Sequence, residues 1–225
     1  RITYPTVGGV TPQAVFLYNS AGQMTQATDP NGHITSYAYH ATTGYLIDVR
    51  RDPSGLNART QLAYDTVGNV TSITDPRGNV TSFQHNALNQ LTKATGPATL
   101  AFETHYRYDA NGNLVQVDRQ AAAAPGPLPT LGTVSAADAW QSTVYTYTVL
   151  DQLAGVRDDL AQVTQFAYDG TGNRTRITDA KGQVTLYAYE ARDLLASVTD
   201  AATPAGITRY AYDSNGNLTS LTDAK

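Results

Sequence analysis

The sequence predicts an all-β fold of tandem β-hairpins, and three observations carry that prediction. A Tyr, once replaced by His, recurs at nine anchor positions, usually at 21- to 25-residue intervals. Two residues before every anchor stands a large apolar or aromatic side chain, and four before it stands Thr in eight of the nine units. Behind every anchor comes a short stretch rich in Gly, Asn and Asp. Fixed-period self-similarity marks an array of stacked supersecondary units, each in contact mainly with its neighbours. A motif repeated nine times is scaffold more readily than active site.

The first strand of each unit ends at its anchor: Tyr18, Tyr39, Tyr64, His85, Tyr108, Tyr147, Tyr168, Tyr189 or Tyr212. The residues two before are Phe16, Tyr37, Leu62, Phe83, Tyr106, Tyr145, Phe166, Tyr187 and Tyr210. Positions two apart share one face of a strand. Thr and aromatic residues suit a pleated, half-buried surface, so each strand shows Thr, aromatic and Tyr on one side. The other side is mixed, as in Val80-Ser82-Gln84.

The next four residues form a turn. Gly22, Gly68, Gly112, Gly172 and Gly216 stand four beyond their anchors, replaced in other units by Asn89, Asp151 or Asp193. These residue types tolerate positive φ best. Gly44 fits if its turn holds one extra residue. A second strand follows, with apolar residues at two recurring places such as Met24 and Ala27, or Val70 and Ile73; Arg174 is the outlier. Their spacing is three rather than two, which predicts a bulge or a twist. The chain then returns through Asp29-Pro30-Asn31-Gly32, Asp52-Pro53-Ser54-Gly55, Asp75-Pro76-Arg77-Gly78 or Asp179-Ala180-Lys181-Gly182, the composition of a type I turn. Successive hairpins are expected to pair into one long sheet. A Tyr-(Asp/Asn)-x-x-Gly form alternates with degenerate units, so neighbouring hairpins are expected to meet different surroundings.

Tyr108-Asp109-Ala110-Asn111-Gly112-Asn113-Leu114 and Tyr212-Asp213-Ser214-Asn215-Gly216-Asn217-Leu218-Thr219 resemble the YD repeat of RHS-type proteins. The repeat is shared with the encapsulating component of Tc toxins and with teneurins, and the resemblance spans roughly residues 14–225. It implies a strip of hairpins spiralling into a large hollow shell, of which this chain is a segment. In the bacterial members that shell surrounds a C-terminal toxin polypeptide. The partners so implied are the rest of the shell and the enclosed polypeptide, with the parent protein secreted or at the cell surface.

The sequence divides into a lead-in or partial repeat at 1–13, hairpins at 14–118, an insertion at 119–140 and hairpins at 141–225. The insertion carries Ala121-Ala122-Ala123-Ala124-Pro125-Gly126-Pro127-Leu128-Pro129, and Trp140 stands at its return. Insertions in repeats map to loops on one face. The expectation is a surface loop whose Trp tucks onto the sheet; the sharper alternative makes Trp140 an anchor for the shell wall or a partner. Thr222-Asp223-Ala224-Lys225 aligns with Thr178-Asp179-Ala180-Lys181, so the chain is expected to stop in mid-turn, as part of a longer array.

Composition narrows the function. A net charge of −4 argues against nucleic acid, whose binders present a basic face. No apolar run approaches the length of a membrane-spanning helix, and zero Cys removes disulfides and thiolate metal sites. His33, His40, His85 and His105 are not at metal-ligand spacings. Asp158-Asp159 reads as a solvated turn, and no nucleophile-elbow motif is present. The Asp109 and Asp213 turns faintly resemble calcium loops, but the spacing is wrong for an EF-hand. Asp52-Pro53-Ser54-Gly55-Leu56 superficially resembles part of the self-cleaving aspartyl site of the family's shell-closing core; the surrounding motif is missing, and that activity is not carried over. No catalytic, cofactor or metal residue is therefore expected. The function expected is a non-catalytic shell segment. The alternative is a surface module that binds glycans through exposed Tyr or Trp, against which stands the packing of aromatics as cross-strand ladders.

Overall fold

The computed structural model describes every residue except 7, 10, 100, 125, 135–138 and 225. Pro125 of the Ala/Pro/Gly-rich stretch, residues 135–138 of the insertion and Lys225 at the expected mid-turn stop therefore lie outside the described residues. The chain forms two compact units, residues 1–103 and 104–225. The first holds β1 (Ile2–Thr3), β2 (Gln13–Tyr18), β3 (Met24–Thr28), β4 (Ile34–Tyr39), β5 (Leu46–Arg51), β6 (Ala58–Tyr64), β7 (Val70–Thr74), β8 (Val80–His85) and β9 (Leu91–Thr95). The second holds β10 (Glu103–Tyr108), β11 (Leu114–Gln120), β12 (Trp140–Tyr147), β13 (Leu153–Arg157), β14 (Val163–Tyr168), β15 (Arg174–Thr178), β16 (Val184–Tyr189), β17 (Leu195–Thr199), β18 (Ile207–Tyr212) and β19 (Leu218–Thr222). In each unit every strand pairs antiparallel with the next, so each sheet is an open run of hairpins in chain order.

Every hairpin carries a bulge at one place, and the spacing of three on the second strand is its sequence trace. In β2–β3 Phe16 faces Ala27 and Leu17 faces Gln26, but Tyr18 faces Met24, so Thr25 is the extra residue. The same shift puts Tyr64 opposite Val70 and Leu62 opposite Ile73. In the second unit it puts Tyr187 opposite Val198 and Tyr189 opposite Leu195. One inserted residue converts a period of two on the first strand into three on its partner, so both apolar residues face the aromatic side. Each bulge also adds local right-handed twist. The second apolar residue is sandwiched, because Thr of the next hairpin lies on its far side: Ala27 faces Thr35, Ile73 faces Thr81 and Val198 faces Thr208.

Most of the turns at both ends of the hairpins use one device. An Asp or Asn carboxyl or amide oxygen accepts the backbone N–H two and four residues on, as Asp65 does from Val67 (3.0 Å) and Asn69 (2.8 Å) and Asp75 from Arg77 (2.8 Å) and Asn79 (2.9 Å). The Asn69 side-chain amide is the largest influence holding the Asp65 carboxyl below its ordinary value, and Asn79 does the same for Asp75. Left-handed positions fall where the sequence placed them: Gly22 at φ 77°, Gly44 at 73° after its longer turn, and Asn89, Asp151 and Asp193 at 58–61°.

Among the turns that depart from the pattern, two bear on the left-handed position. Asp52-Pro53-Ser54-Gly55 closes as a four-residue turn, Gly55 N–H donating to the Asp52 carbonyl at 3.1 Å, but the return runs on beyond it. Asp52 itself and Asn57 take positive φ, at 49° each, and Asn57 N–H donates to the Asp52 carbonyl at 2.7 Å. The loop between β5 and β6 is one residue longer than the Asp75 return, and its left-handed position falls on Asn57 rather than on the Gly. The other departure is Ala161, held at φ 60° where Gly usually stands. A left-handed L-residue costs about 1–2 kcal/mol, partly offset by the flexibility of unfolded Gly. Ala161→Gly is therefore expected to stabilise the β13–β14 turn by about 0.5–1 kcal/mol, read as slower amide exchange there.

Candidate functional site

Six of the anchor tyrosines staple their hairpin to the one before. Tyr39 Oη donates to the Met24 carbonyl at 2.8 Å, Tyr64 to Leu46 at 2.8 Å and Tyr147 to Leu114 at 2.9 Å. Tyr168 reaches Leu153, Tyr189 reaches Arg174 and Tyr212 reaches Leu195, at 2.9, 3.1 and 3.0 Å. Each acceptor is the residue opposite the preceding anchor, beside the bulge, where the ladder is locally disrupted. Burial pushes the Tyr64 and Tyr147 phenols above their ordinary value, as befits hydroxyls spent on the fold. His85 takes its anchor place opposite Leu91 without a hydroxyl to give. Arg174 fills an apolar position by lying over the rings of Phe166 and Tyr187, 5.9 and 5.3 Å from their centroids, a cation–π contact. Tyr64→Phe is expected to cost about 1 kcal/mol, seen as faster amide exchange across β5–β7; exchange unchanged from wild type would dismiss the staple.

Turn-to-turn bonds explain the alternation of full and degenerate repeats. The Asn that follows the turn Gly in the full form donates to the left-handed residue of the next turn. Asn69 reaches Asn89 at 2.9 Å, Asn113 reaches Asp151 at 2.7 Å and Asn173 reaches Asp193 at 2.8 Å. Asn or Asp at the left-handed position of the degenerate turn supplies an acceptor that Gly lacks.

The insertion between β11 and β12 covers the mixed face of those strands. Gln116 is fully buried; its Oε1 accepts Gly132 N–H at 2.7 Å and its Nε2 donates to the Thr133 carbonyl at 3.1 Å. Arg157 donates to the Gly132 carbonyl. Beneath the loop Asp118, also fully buried, accepts from Ser142 Oγ at 2.6 Å and Gln116 Nε2 at 2.8 Å and pairs with Arg107 at 3.2 Å. Trp140 is 4% exposed and meets the His105 ring edge-on, centroids 5.5 Å apart. Trp140 therefore tucks onto the sheet rather than standing out as an anchor. An apolar groove of about 730 Å³ runs beside the loop, with Leu131, Val144, Val163 and Phe166 among its lining.

Most of the residues that sequence reasoning singled out for chemistry are spent on turns, whereas His85 and His105 stand on β8 and β10. His33 Nδ1 lies 2.9 Å from Asp29 Oδ2, and that bond holds the imidazole above and the carboxyl below their ordinary values. His40 Nδ1 lies 3.1 Å from Thr43 Oγ1. Asp109 Oδ1 accepts Asn111 and Asn113 N–H, Asp213 Oδ1 accepts those of Asn215 and Asn217, and Asp158 Oδ1 those of Leu160 and Gln162. Asp52 Oδ2 accepts Leu56 N–H at 2.8 Å. Among the described residues no group of three or more His, Cys, Asp or Glu could hold a metal, and no helix could cross a membrane. What sequence reasoning missed is the Gln116–Asp118–Ser142 cluster. Its only signal is three polar residues at alternating positions of strands that border an insertion.

The RHS Repeat family model matches residues 18–56, 64–101, 147–184, 168–205 and 189–225, more than half of the chain. The chain belongs to the RHS repeat family. No curated protein sequence matches this RHS chain, but solved structures do. The crystal structure of TcdB2-TccC3-TEV aligns with 93% of it at 16% identity and TM-score 0.69, and that of TcdB2-TccC3 with 98% at 18% and 0.51. The Tc holotoxin pore of Photorhabdus luminescens, in a TccC3 mutant, aligns with 95% at 16% identity and TM-score 0.57. These likenesses show a shared fold. The RHS chain covers only 11–13% of the length of those chains. It is an array of RHS hairpins.

Proposed function

We propose that these RHS hairpins are wall material of a hollow β-shell that encloses a C-terminal toxin or effector polypeptide. The observation that carries this reading is the serial stapling: six anchor hydroxyls tie their hairpins to the ones before, so the sheet extends without a central core. A wall needs many paired strands and few special side chains, and these residues supply that. The fold likeness to TcdB2-TccC3 and to a Tc holotoxin supports a shell of the same kind. In this reading 14–118 and 141–225 are wall, 119–140 is a surface insertion whose two ends, Arg119–Gln120 and Trp140, continue β11 and β12, and the parent is secreted or displayed at the cell surface. The partners are the remaining shell and its cargo.

Limited proteolysis of the full-length parent with intact-mass analysis, native against denatured, tests this. A C-terminal piece that survives only while the array is native supports a container. A piece digested freely while the hairpins resist ends the shell reading and promotes a glycan-binding surface.

A further inference from the structure

Two arginines face each other across β5 and β6 in the first unit, Arg50 directly opposite Arg59. Like charges in that relation destabilise a strand pair. One carboxylate lies between them: Asp48, 7% exposed, takes Arg50 Nε on Oδ1 at 3.0 Å and Arg59 Nε on Oδ2. Both carboxylate oxygens are thereby used, and the cluster keeps one net positive charge. The guanidinium side chains remain 40% and 42% exposed. With Nε turned inward to Asp48, the Nη groups of each are left for a ligand. Ser36, opposite Arg50, and Gln61, opposite Asp48, add neutral polar groups on the same face. The five residues line a groove of about 590 Å³.

We propose that this groove is an oxyanion site, binding a phosphate or carboxylate group between the Nη pairs of Arg50 and Arg59. Guanidinium presents two parallel N–H donors that match either group. Asp48 orients both forks while neutralising only one of them. A bound oxyanion would discharge the remaining like-charge repulsion. The site is independent of the shell reading, since its ligand need not be the enclosed polypeptide.

The test uses the intact protein, inorganic phosphate observed by phosphorus NMR line broadening, and succinate as a carboxylate competitor, all at ionic strength fixed with sodium chloride. Saturable broadening is expected, weakened roughly tenfold or more in Arg59→Lys, because Lys keeps the charge and loses the planar fork. Arg176→Lys, in the second unit, should bind as the wild type does. Displacement by succinate would identify a carboxylate-accepting site, and resistance to it a phosphoryl-selective one. Should Arg59→Lys disturb the fold by circular dichroism, Arg50→Lys and Ser36→Ala carry the same comparison. Phosphate that chloride displaces equally well, or binding unchanged in the folded arginine variants, overturns the proposal.

Discussion

Asp118→Ala is expected to destabilise the β10–β12 region by about 3–5 kcal/mol, the cost of removing one partner from a buried ion pair. The carboxylate is fully buried, accepts the Gln116 amide and the Ser142 hydroxyl on Oδ1, and forms an ion pair with the Arg107 guanidinium through Oδ2. Without it the amide and the hydroxyl lose their acceptor and Arg107 its counter-charge, where water does not readily replace them. Gln116 would also lose the contact that orients it, and its amide is what grips the loop backbone at Gly132 and Thr133. The variant should therefore show faster amide exchange in β10–β12 and new protease cleavage within residues 121–134. Repeat units couple mainly to their neighbours, so exchange in β16–β18 should stay near wild type and serves as the internal reference. Asp118→Asn, which keeps an acceptor oxygen, should lose less. So should the double replacement Arg107→Met with Asp118→Leu, which strands no charge. Unchanged exchange in Asp118→Ala would mean that the loop is held by other contacts.

Gly68→Val is expected to cost about 2–5 kcal/mol, from two separable causes. Gly68 has φ +99°, and a left-handed L-residue costs about 1–2 kcal/mol. The second cause is steric: a Cβ there would stand 2.5 Å from Tyr45 Oη and 2.9 Å from its Cζ. Displacing a packed side chain adds about 1–3 kcal/mol. Tyr45 cannot swing away freely, because its ring lies 4.9 Å from that of Tyr64, whose hydroxyl staples β6 to the preceding hairpin. Gly32→Val provides the comparison, since Gly32 has φ +87° but nothing within 4 Å of its added Cβ. Amide exchange in the two variants should differ by the steric part alone. Equal losses would assign the whole effect to backbone conformation.

Hairpin boundaries, turn positions and the bulge were legible because each depends on a few adjacent residues. Positive φ at Asn89, Asp151 and Asp193 follows from side chains that tolerate it, and the bulge at Thr25 follows from Met24 and Ala27 standing three apart. The Asp52 return was legible as a turn, closed by Gly55 N–H on the Asp52 carbonyl, but its extension to a left-handed Asn57 was not. The alternation of repeats was visible as a pattern, but its cause was not. Asn113 meeting Asp151 is a bond across 38 residues, and no local signal names the partner. The Arg50–Asp48–Arg59 cluster was missed for the same reason, since strand register alone brings Arg59 beside Asp48.

By itself the sequence determined a series of β-hairpins with Thr, aromatic and Tyr on one face, closed by Asx-type turns, with no clustered chemistry to suggest a reaction. That much is local: two-residue alternation, the φ preferences of Gly, Asn and Asp, and side-chain bonds spanning four residues or fewer. Tertiary structure decided which carbonyl each Tyr hydroxyl reaches, which turns touch, that the insertion folds back over Gln116 and Asp118, and that two arginines share one carboxylate. Those outcomes depend on which residues strand register places side by side, and a one-dimensional pattern specifies the type of each side chain without specifying its neighbour.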